Sequence, residues 1–217
     1  MRRRVFSVLA LCGVFLSVAC LWAKSNGEKA ALEKLRQREK VLAGVQKLWI
    51  NSRPKDALLL RILVQAGNAQ RGIEVGSAVG FGAINMGIGF ERTGGHLTTI
   101  DIDREMARKC RENIKKADLQ KTVSVIEGDA LDVLPKLKGQ FDFVFIDAHK
   151  QDYLKYFKAV EAKLKPGTVV VGHNAIVYAK AMKDFLDYMK TSPDWEMVIV
   201  RAGLTEKDGM AVCYKIR

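Results

Sequence analysis

Short apolar segments alternate with longer amphipathic ones from Pro54 onward, and this alternation constrains the fold more than any other feature. Five apolar segments, each followed by a predicted helix, are predicted strands: Gly72–Val75, Leu97–Ile100, Val123–Ile126, Phe141–Ile146 and Thr168–Val171. Strands that alternate with helices predict a parallel sheet covered on both faces. The helix after the fifth strand is predicted over Ala175–Met189. Two further strands, Glu196–Val200 and Met210–Tyr214, have only a turn between them and are expected to pair antiparallel. We therefore predict one α/β domain over residues 51–217.

Composition excludes several classes of protein. With 48% hydrophobic residues and four prolines in 217, the chain is too apolar for a disordered protein and too poor in proline for a fibrous one. Its four cysteines have neither the density of a disulfide scaffold nor the spacing of zinc ligands. No stretch interleaves basic and aromatic residues as a single-strand binding groove does, so no nucleic-acid partner is expected.

The net charge of +12 is concentrated near the N-terminus. Residues 1–50 hold ten of the 36 Lys and Arg but only three of the 24 Asp and Glu. Three arginines precede the uncharged run Val5–Ala23, which as a helix would reach about 28 Å, close to the thickness of a bilayer core. We predict that residues 1–24 are a signal peptide or a membrane anchor. Basic residues on both sides of the run leave its orientation open.

The segment from 25 to 50 follows this run and reads as a charged helix. Apolar residues recur at helical spacing between Asn26 and Trp49, among many charged ones. The helix could serve as a stalk or could cap the domain that follows it.

A glycine-rich loop follows the first predicted strand, where a ligand of an open α/β sheet would bind. The sequence there runs Glu74-Val75-Gly76-Ser77-Ala78-Val79-Gly80-Phe81-Gly82. Its glycines fall at relative positions 1, 5 and 7, whereas a dinucleotide fingerprint needs positions 1, 3 and 6. The spacing argues against a nicotinamide cofactor, and the loop alone is equally consistent with a tight turn that binds nothing.

Acidic residues end the next two strands. Asp101 lies where an acid can accept hydrogen bonds from ribose hydroxyls. Its other possible role is the N-cap of the following helix, but Asp103 already fills that position, so Asp101 is left for a ligand. Gly128, Asp129 and Ala130 follow the third strand. They could contact an adenine ring or could simply begin a short helix, and the residues alone leave both readings open.

The fourth and fifth strands end in charged or polar residues as well. Asp147 closes a buried apolar strand, and a carboxylate there needs a partner. Lys150 could be that partner in a structural ion pair, or it could act as a general base. His173 and Asn174 follow the fifth strand, where a histidine is more often a packed, hydrogen-bonded residue than a ligand.

Together these strand-end motifs resemble those of the class I S-adenosylmethionine-dependent methyltransferases. Two stretches resemble more narrowly the catechol and caffeoyl-CoA O-methyltransferases: Phe145-Ile146-Asp147-Ala148-His149-Lys150 with Tyr153, and Lys165-Pro166-Gly167-Thr168 leading to Asn174. The resemblance covers about residues 50–217. It implies a Rossmann-like, doubly wound sheet of seven strands, mostly parallel, with an antiparallel last strand.

The resemblance also implies roles for individual residues around S-adenosylmethionine. The methionine part would be bound by Glu74, Gly76, Ser77 and Gly80, the ribose by Asp101, and the adenine by Gly128, Asp129 and Ala130. Asp147 would lie beside the sulfonium and ligate a divalent cation. Lys150 would lie close to the acceptor hydroxyl as general base.

The sequence departs from the family pattern at two places. The metal-dependent members carry Asp-Asn after the fifth strand, whereas this chain has His173-Asn174. A metal site would consist of Asp147, His173 and Asn174, and because Mg²⁺ prefers oxygen ligands, a divalent cation is left open. The family's Tyr-Ser after the second loop glycine is Phe81-Gly82 here, which removes a hydroxyl from the predicted methionine site.

These observations predict a membrane-targeted O-methyltransferase that acts on a hydroxyl of a small molecule, such as a phenol or a catechol. The alternative is a membrane-tethered protein that binds S-adenosylmethionine for regulation and is impaired in catalysis. Because the cofactor is made in the cytosol, a domain that faces the cytoplasm is favoured over an exported one. Self-association as a homodimer is left open.

Overall fold

The computed structural model describes residues 27–45 and 52–217. A helix, α1, extends over 27–44, within the segment predicted to be helical. The chain divides into two units, Met1–Ala43 and Gly44–Arg217. No helix in the described ranges is both long enough and apolar enough to span a membrane. The predicted signal peptide or anchor at 1–24 lies outside these ranges.

The second unit alternates strands and helices as the sequence predicts. Its strands are β1 Arg71–Val75, β2 His96–Asp101, β3 Val123–Glu127, β4 Phe141–Ile146, β5 Leu164–Gly172, β6 Trp195–Val200 and β7 Met210–Lys215. Its α-helices are α2 Pro54–Ala66, α3 Phe81–Thr93, α4 Arg104–Lys116, α5 Ala130–Val133, α6 Tyr153–Val160 and α7 Lys183–Thr191.

The strands form one sheet in the order β3-β2-β1-β4-β5-β7-β6. All neighbours from β3 to β5 pair in parallel, and β7 pairs antiparallel with both β5 and β6. This is the predicted Rossmann-like sheet, and the predicted reversed last strand is confirmed. The order reverses at β1, which lies between β2 and β4, and such a switch point opens a crevice at the carboxyl edge.

The centre of the sheet is buried on both faces, as its continuous apolar strands indicate. Phe143, Val144, Phe145 and Ile146 of β4 are each at most 1% exposed. Helix α3 lies close to the sheet because it carries a glycine where it meets β3: a Cβ on Gly87 would lie 2.6 Å from a methyl carbon of that strand. Tight packing of this kind fixes the strand ends that carry the polar residues.

The predicted helix over Ala175–Met189 is wrong in its first half. Residues 175–182 form turns, and the α-helix begins only at Lys183. Asn174 has a left-handed backbone with φ of 60°, and the backbone N–H of Ala175 donates to the Gly209 carbonyl at the start of β7. Helical spacing of apolar residues cannot reveal a constraint of this kind, because the partner is far along the sequence.

Candidate functional site

The backbone hydrogen-bond ladder continues past the strand ends and brings the loops together. The N–H of Gly76 donates to the Ile100 carbonyl and that of Asp147 donates to the Val75 carbonyl, both at 2.8 Å. The N–H of His173 donates to the Ile146 carbonyl at 3.0 Å. The loops that follow β1, β4 and β5 therefore leave the sheet side by side, at the edge where the sequence predicts a ligand.

Two glycines are required by the shape of the first loop. Gly76 and Gly80 have φ of 93° and 91°, a backbone conformation that other residues rarely adopt. A Cβ on Gly76 would lie 2.2 Å from the Asp147 carbonyl oxygen, and one on Gly80 would lie 2.9 Å from Cys110 Sγ. The loop turns so tightly that the backbone of β1 passes directly against that of β4.

Asp101 holds the first loop in place. Its Oδ2 accepts hydrogen bonds from the backbone N–H groups of Ser77 and Ala78, at 3.0 and 2.7 Å, and from Ser77 Oγ at 3.2 Å. Its Oδ1 accepts from the Asp103 N–H at 2.9 Å. Asp103 caps α4 by accepting from the Met106 N–H, so that prediction is confirmed. Only Oδ1 of Asp101 retains room for a further hydrogen bond from a ligand.

Glu74 is a buried acid whose charged neighbours, among the residues that the structure describes, are negative. Its side chain is 1% exposed, and Oε2 has no hydrogen-bond partner within the described part of the chain. Burial raises the pKa of Glu74 to about 8, and the nearby negative charges of Asp147 and Asp101 add to the effect. Gly82 makes room for this acid, because a Cβ there would lie 2.7 Å from Glu74 Oε1.

A cavity of about 500 Å³ opens at the ends of β1, β2 and β3. Of the residues predicted to bind the cofactor, those that line it are Gly76, Asp101, Gly128, Asp129, Ala130 and Asp147. Asp129 also caps α5 by accepting from the Leu131 N–H, so it performs the structural role as well. Glu74, Ser77 and Gly80 are not part of its lining.

A second cavity, of about 490 Å³, opens at the ends of β4 and β5. Lys150, His173, Asn174 and Tyr178 contribute to its wall. Three residues line both cavities, namely Asp147, Ala148 and His149. The two cavities therefore adjoin at the end of β4, and Asp147 lies at their boundary.

Four charged side chains form a chain of ion pairs at this boundary. Lys150 Nζ lies 2.8 Å from Asp147 Oδ1, and Asp147 Oδ2 lies 3.0 Å from Nδ1 of His173. The other ring nitrogen, Nε2, lies 3.0 Å from Asp56 Oδ2 on α2. Exposure of these side chains is 15% or less, so the pairs are poorly screened by water. Lys150 Nζ also donates to Tyr153 Oη at 2.8 Å.

The two contacts of the His173 ring differ in geometry. Nε2 is hydrogen-bonded to Asp56, whereas Nδ1 has no hydrogen-bond partner among the described residues although Asp147 is at ion-pair distance. The contact with Asp147 is therefore mainly electrostatic. Burial lowers the pKa of His173, but the Asp147 and Asp56 carboxylates outweigh burial and raise it to about 9. At neutral pH the ring is an imidazolium cation.

Asp147 remains ionised despite its burial. Burial raises the pKa of Asp147, but the positive charges of His173 and Lys150 outweigh it, and the net direction is downward. The carboxylate is thus held between two cations.

The three residues predicted as metal ligands do not converge on one point. Asn174 turns away: its amide donates to Asp208 Oδ2 at 2.8 Å. Both oxygens of Asp147 are engaged by Lys150 and His173. In the described part of the chain no group of three or more His, Cys, Asp or Glu side chains could hold a metal ion. The residues present therefore do not fit a resident divalent cation.

Sequence reasoning missed two acidic residues of this site. Asp56 lies in the first turn of α2, where the helix dipole stabilises an acid. An acid at that position is ordinary, so the sequence around Asp56 does not indicate a buried ion pair. Asp208 belongs to a segment read only as a turn before β7, yet it is 5% exposed and holds Asn174. Both act across more than 30 residues of sequence, and only the folded chain brings them to the site.

A doubly wound sheet with a glycine-rich first loop and an acid at the end of β2 is typical of proteins that bind a nucleoside-containing cofactor at the carboxyl edge. The family model described as O-methyltransferase matches residues 23–215, so the chain belongs to that family. The match begins earlier than the motif resemblance and includes α1.

Relatives and solved structures agree with this assignment. A catechol O-methyltransferase of Niastella koreensis is 30% identical over 184 residues, which are 75% of this chain and 81% of the relative. A caffeoyl-CoA O-methyltransferase of Stellaria longipes is 26% identical and aligns with 74% of this chain and 70% of its own length. The structure of an O-methyltransferase from Bacillus cereus in complex with SAH has a TM-score of 0.74 at 26% identity, and the match covers 84% of this chain and 90% of that one.

The protein is an S-adenosylmethionine-dependent O-methyltransferase, which confirms the predicted family, reaction and cofactor. The site fits this cofactor, because its sulfonium and ammonium groups are cations and the cavity is lined by the carboxylates of Asp101, Asp129 and Asp147. The comparisons lend no support to the alternative of a regulatory protein impaired in catalysis.

Proposed function

We propose that this enzyme methylates a hydroxyl group of a small aromatic acceptor, with the cofactor in the cavity at β1 to β3 and the acceptor in the cavity at β4 and β5. The observation that carries the proposal is the junction of the two cavities at Asp147. Two ligands that meet at one residue can be aligned for direct displacement, which needs the attacking and leaving atoms in line.

When bound, the cofactor supplies a methyl group on a positively charged sulfur. In the proposal, Asp101 binds the ribose through Oδ1, and Gly128, Asp129 and Ala130 contact the adenine. Glu74, with Gly76, Ser77 and Gly80 of the loop, stabilises the methionine part, and Asp147 lies beside the sulfur. Glu74 and Asp101 would act partly by shaping the loop, because Asp101 already binds two of its backbone N–H groups.

Lys150 is proposed to accept the proton of the acceptor hydroxyl. Its Nζ lies in the wall of the acceptor cavity and makes two hydrogen bonds, to Asp147 and Tyr153, which fix its position. Once Lys150 has given up its own proton, its amine still has two N–H groups for Asp147 and Tyr153 and one lone pair for the proton of the acceptor hydroxyl. Loss of that proton leaves an oxygen anion that would form the new O–CH₃ bond, while the S–CH₃ bond breaks and its electron pair returns to sulfur.

Two features support an aromatic acceptor. Tyr178 lines the cavity with a ring that is 45% exposed, and an exposed ring can stack on another ring. Arg53 lies at the same cavity and pairs with Glu206 at 2.6 Å, so it offers a charged group to a polar substituent. The named relatives include a catechol and a caffeoyl-CoA O-methyltransferase, which suggests phenols and catechols as first substrates to test.

The test is methyl transfer from radiolabelled S-adenosylmethionine to a panel of phenols, catechols and caffeate esters. With an accepted substrate, Lys150→Met should lower kcat by about 10²- to 10⁴-fold, the usual contribution of a general base, while the cofactor Kd changes less than threefold. Lys155→Met is the matched control, because Lys155 is 66% exposed and forms an ion pair with Asp152 rather than with Asp147. A Lys150 variant that is as active as the control would reject the assigned base.

We also propose that Val5–Ala23 attaches the enzyme to a membrane, with the catalytic domain facing the cytoplasm. The uncharged run and the basic residues beside it support attachment, and the cytosolic origin of the cofactor supports the orientation.

A further inference from the structure

The residues that would be expected to bind a divalent cation are already engaged with one another. Asp147 contacts Lys150 through one oxygen and His173 through the other, and Asn174 is bound to Asp208. Each Asp147 oxygen therefore lies opposite a positive side chain, and the Asn174 side chain is fixed through its amide nitrogen, so the group lacks the set of converging oxygens that Mg²⁺ requires in an octahedral site.

The charges around Asp147 alternate and sum to zero. In order they are Asp56, His173, Asp147 and Lys150, with successive contacts of 3.0, 3.0 and 2.8 Å. A divalent ion placed against Asp147 would lie near two positive side chains. Because the four charges cancel, the cluster offers a divalent ion no net negative charge.

From these contacts we propose that this enzyme transfers methyl groups without a divalent cation, that the His173 side chain supplies the fixed positive charge at the acceptor site, and that Asp56 is a positioning residue that holds His173. The proposal rests on the proposed function of the two cavities.

His173 is placed for this role. It follows β5, lines the acceptor cavity, and is 7% exposed, so its charge is not dissipated into solvent. Its ring also lies edge-on to Phe145, with centroids 6.0 Å apart, which limits its rotation. A fixed cation beside the acceptor favours the oxygen anion that forms when the hydroxyl loses its proton.

Asp56 determines where the ring lies. It is 117 residues away in sequence, and it forms the hydrogen bond at Nε2 of the ring. Without Asp56 the imidazolium would have a counter-ion only on the Asp147 side. The ring would then be free to shift, and both Asp147 and the acceptor oxygen would lose a fixed partner.

The first experiment uses the full chain after exhaustive treatment with EDTA. We expect its rate to change less than twofold when Mg²⁺ or Mn²⁺ is added back, and we expect no Mn²⁺ binding below 1 mM by electron paramagnetic resonance, roughly the weak end of protein affinities for such ions. A loss of activity on chelation that Mg²⁺ restores would overturn the proposal. Tight Mn²⁺ binding by the wild type would overturn it even if no acceptor had been found.

The second experiment converts the cation into a ligand. His173→Asp replaces the positive ring with a carboxylate, so that an acid takes the place of the cation between Asp147 and Asp56. We expect this variant to bind Mn²⁺ at least tenfold more tightly than the wild type and to melt at a higher temperature in Mg²⁺. A correctly folded variant, checked by circular dichroism, that binds no more Mn²⁺ than the wild type would contradict the proposed arrangement.

The third experiment tests Asp56 with a variant that keeps its shape. Asp56→Asn should lower kcat by about tenfold, the loss of one charge-assisted hydrogen bond, while the KM for S-adenosylmethionine stays within twofold. Asp187→Asn, which breaks an exposed pair with Lys183, is the control. Equal kcat values for the two variants would show that Asp56 has no positioning role. Failure of the proposed function itself would appear differently, as no methyl transfer by the wild type to any acceptor.

Discussion

At the scale of single residues, Glu74 is a buried acid one residue before the cavity lining at Val75, and its charged neighbours among the described residues are negative. Glu74 is buried, and its pKa is raised to about 8 from an ordinary value of 4.5. At pH 7 the unliganded enzyme therefore holds Glu74 mostly in its protonated form. A cationic ligand nearby would favour the carboxylate, so cofactor binding should expel a proton.

We predict that S-adenosylmethionine binding at pH 7 releases between about 0.5 and 1 proton from Glu74. Isothermal titration calorimetry in phosphate and in Tris measures this number, because the two buffers differ in ionisation enthalpy. The sign follows from the direction of the shift: affinity should rise as the pH rises from 7 toward 8 and should level off above the pKa. SAH, which lacks the sulfonium charge, should release fewer protons.

Two variants decide whether the proton comes from this residue. Glu74→Gln should bind the cofactor without the release of about 0.5 to 1 proton that we assign to Glu74 in the wild type. Glu127→Gln, which replaces a half-exposed acid at the end of β3, should behave as the wild type does. If the release is the same in all three proteins, Glu74 is not the group that responds to the cofactor.

Sequence patterns predict the positions of the site residues along the strands, but they do not predict the contacts that the side chains make. Asp101, Asp147 and Lys150 were all placed at the correct strand ends, because apolar strands followed by polar residues are visible in the sequence. The contacts of Asp101 with the first loop and of His173 with Asp56 could not be predicted. Each depends on how far one element lies from another in space, and helix or strand periodicity carries no information about that distance.

At the scale of elements, the segment between β5 and α7 shows how a distant residue overrides a local preference. Asp208 Oδ1 accepts hydrogen bonds from the backbone N–H groups of Ile176 and Val177, at 3.1 and 3.0 Å, and its Oδ2 binds the Asn174 amide. These bonds hold residues 174–182 as turns over the acceptor cavity. The strands, by contrast, were predicted within a few residues of their ends because their apolar runs are continuous.

We predict that Asp208→Ala lowers the free energy of unfolding by about 3 kcal/mol, a typical cost of leaving several buried donors without a charged acceptor. It should also lower methyl transfer more than cofactor binding, because the turns line only the acceptor cavity. Urea unfolding and cofactor titration measure the two effects. Asp187→Ala, on the exposed face of α7, should change neither.

The pH dependence of this effect has a defined sign. Burial raises the pKa of Asp208, but the donors from Val177, Asn174 and Gly209 outweigh it, and the net direction is downward. A lowered pKa means that the stabilisation is present at neutral pH and is lost as the pH falls below the ordinary value of 3.8. The stability difference between wild type and Asp208→Ala should therefore shrink in acid, and a difference that grows there would contradict the assignment.

At the scale of the whole molecule, the sheet topology follows most directly from the sequence pattern. The N-terminal segment has no part in that pattern. The alternation of strands and helices led to the correct class of fold, and the motifs led to the family that the comparisons show. The catalytic cavities lie entirely in the unit Gly44–Arg217, whereas the excess positive charge lies in residues 1–50. Chemistry and attachment are thus expected to be separable.

Separability gives a prediction about localisation. In our proposal, attachment to the membrane depends on the run Val5–Ala23. The full chain should stay in the membrane fraction after a carbonate wash, and a chain that begins at Lys24 should be recovered in the soluble fraction.

In intact cells, protease added outside should leave the catalytic domain whole, because the cofactor is available only inside. The same protease should digest it after permeabilisation. Digestion of the catalytic domain from outside would contradict the proposed cytoplasmic orientation. Recovery of the full chain in the soluble fraction would contradict the proposed membrane anchor.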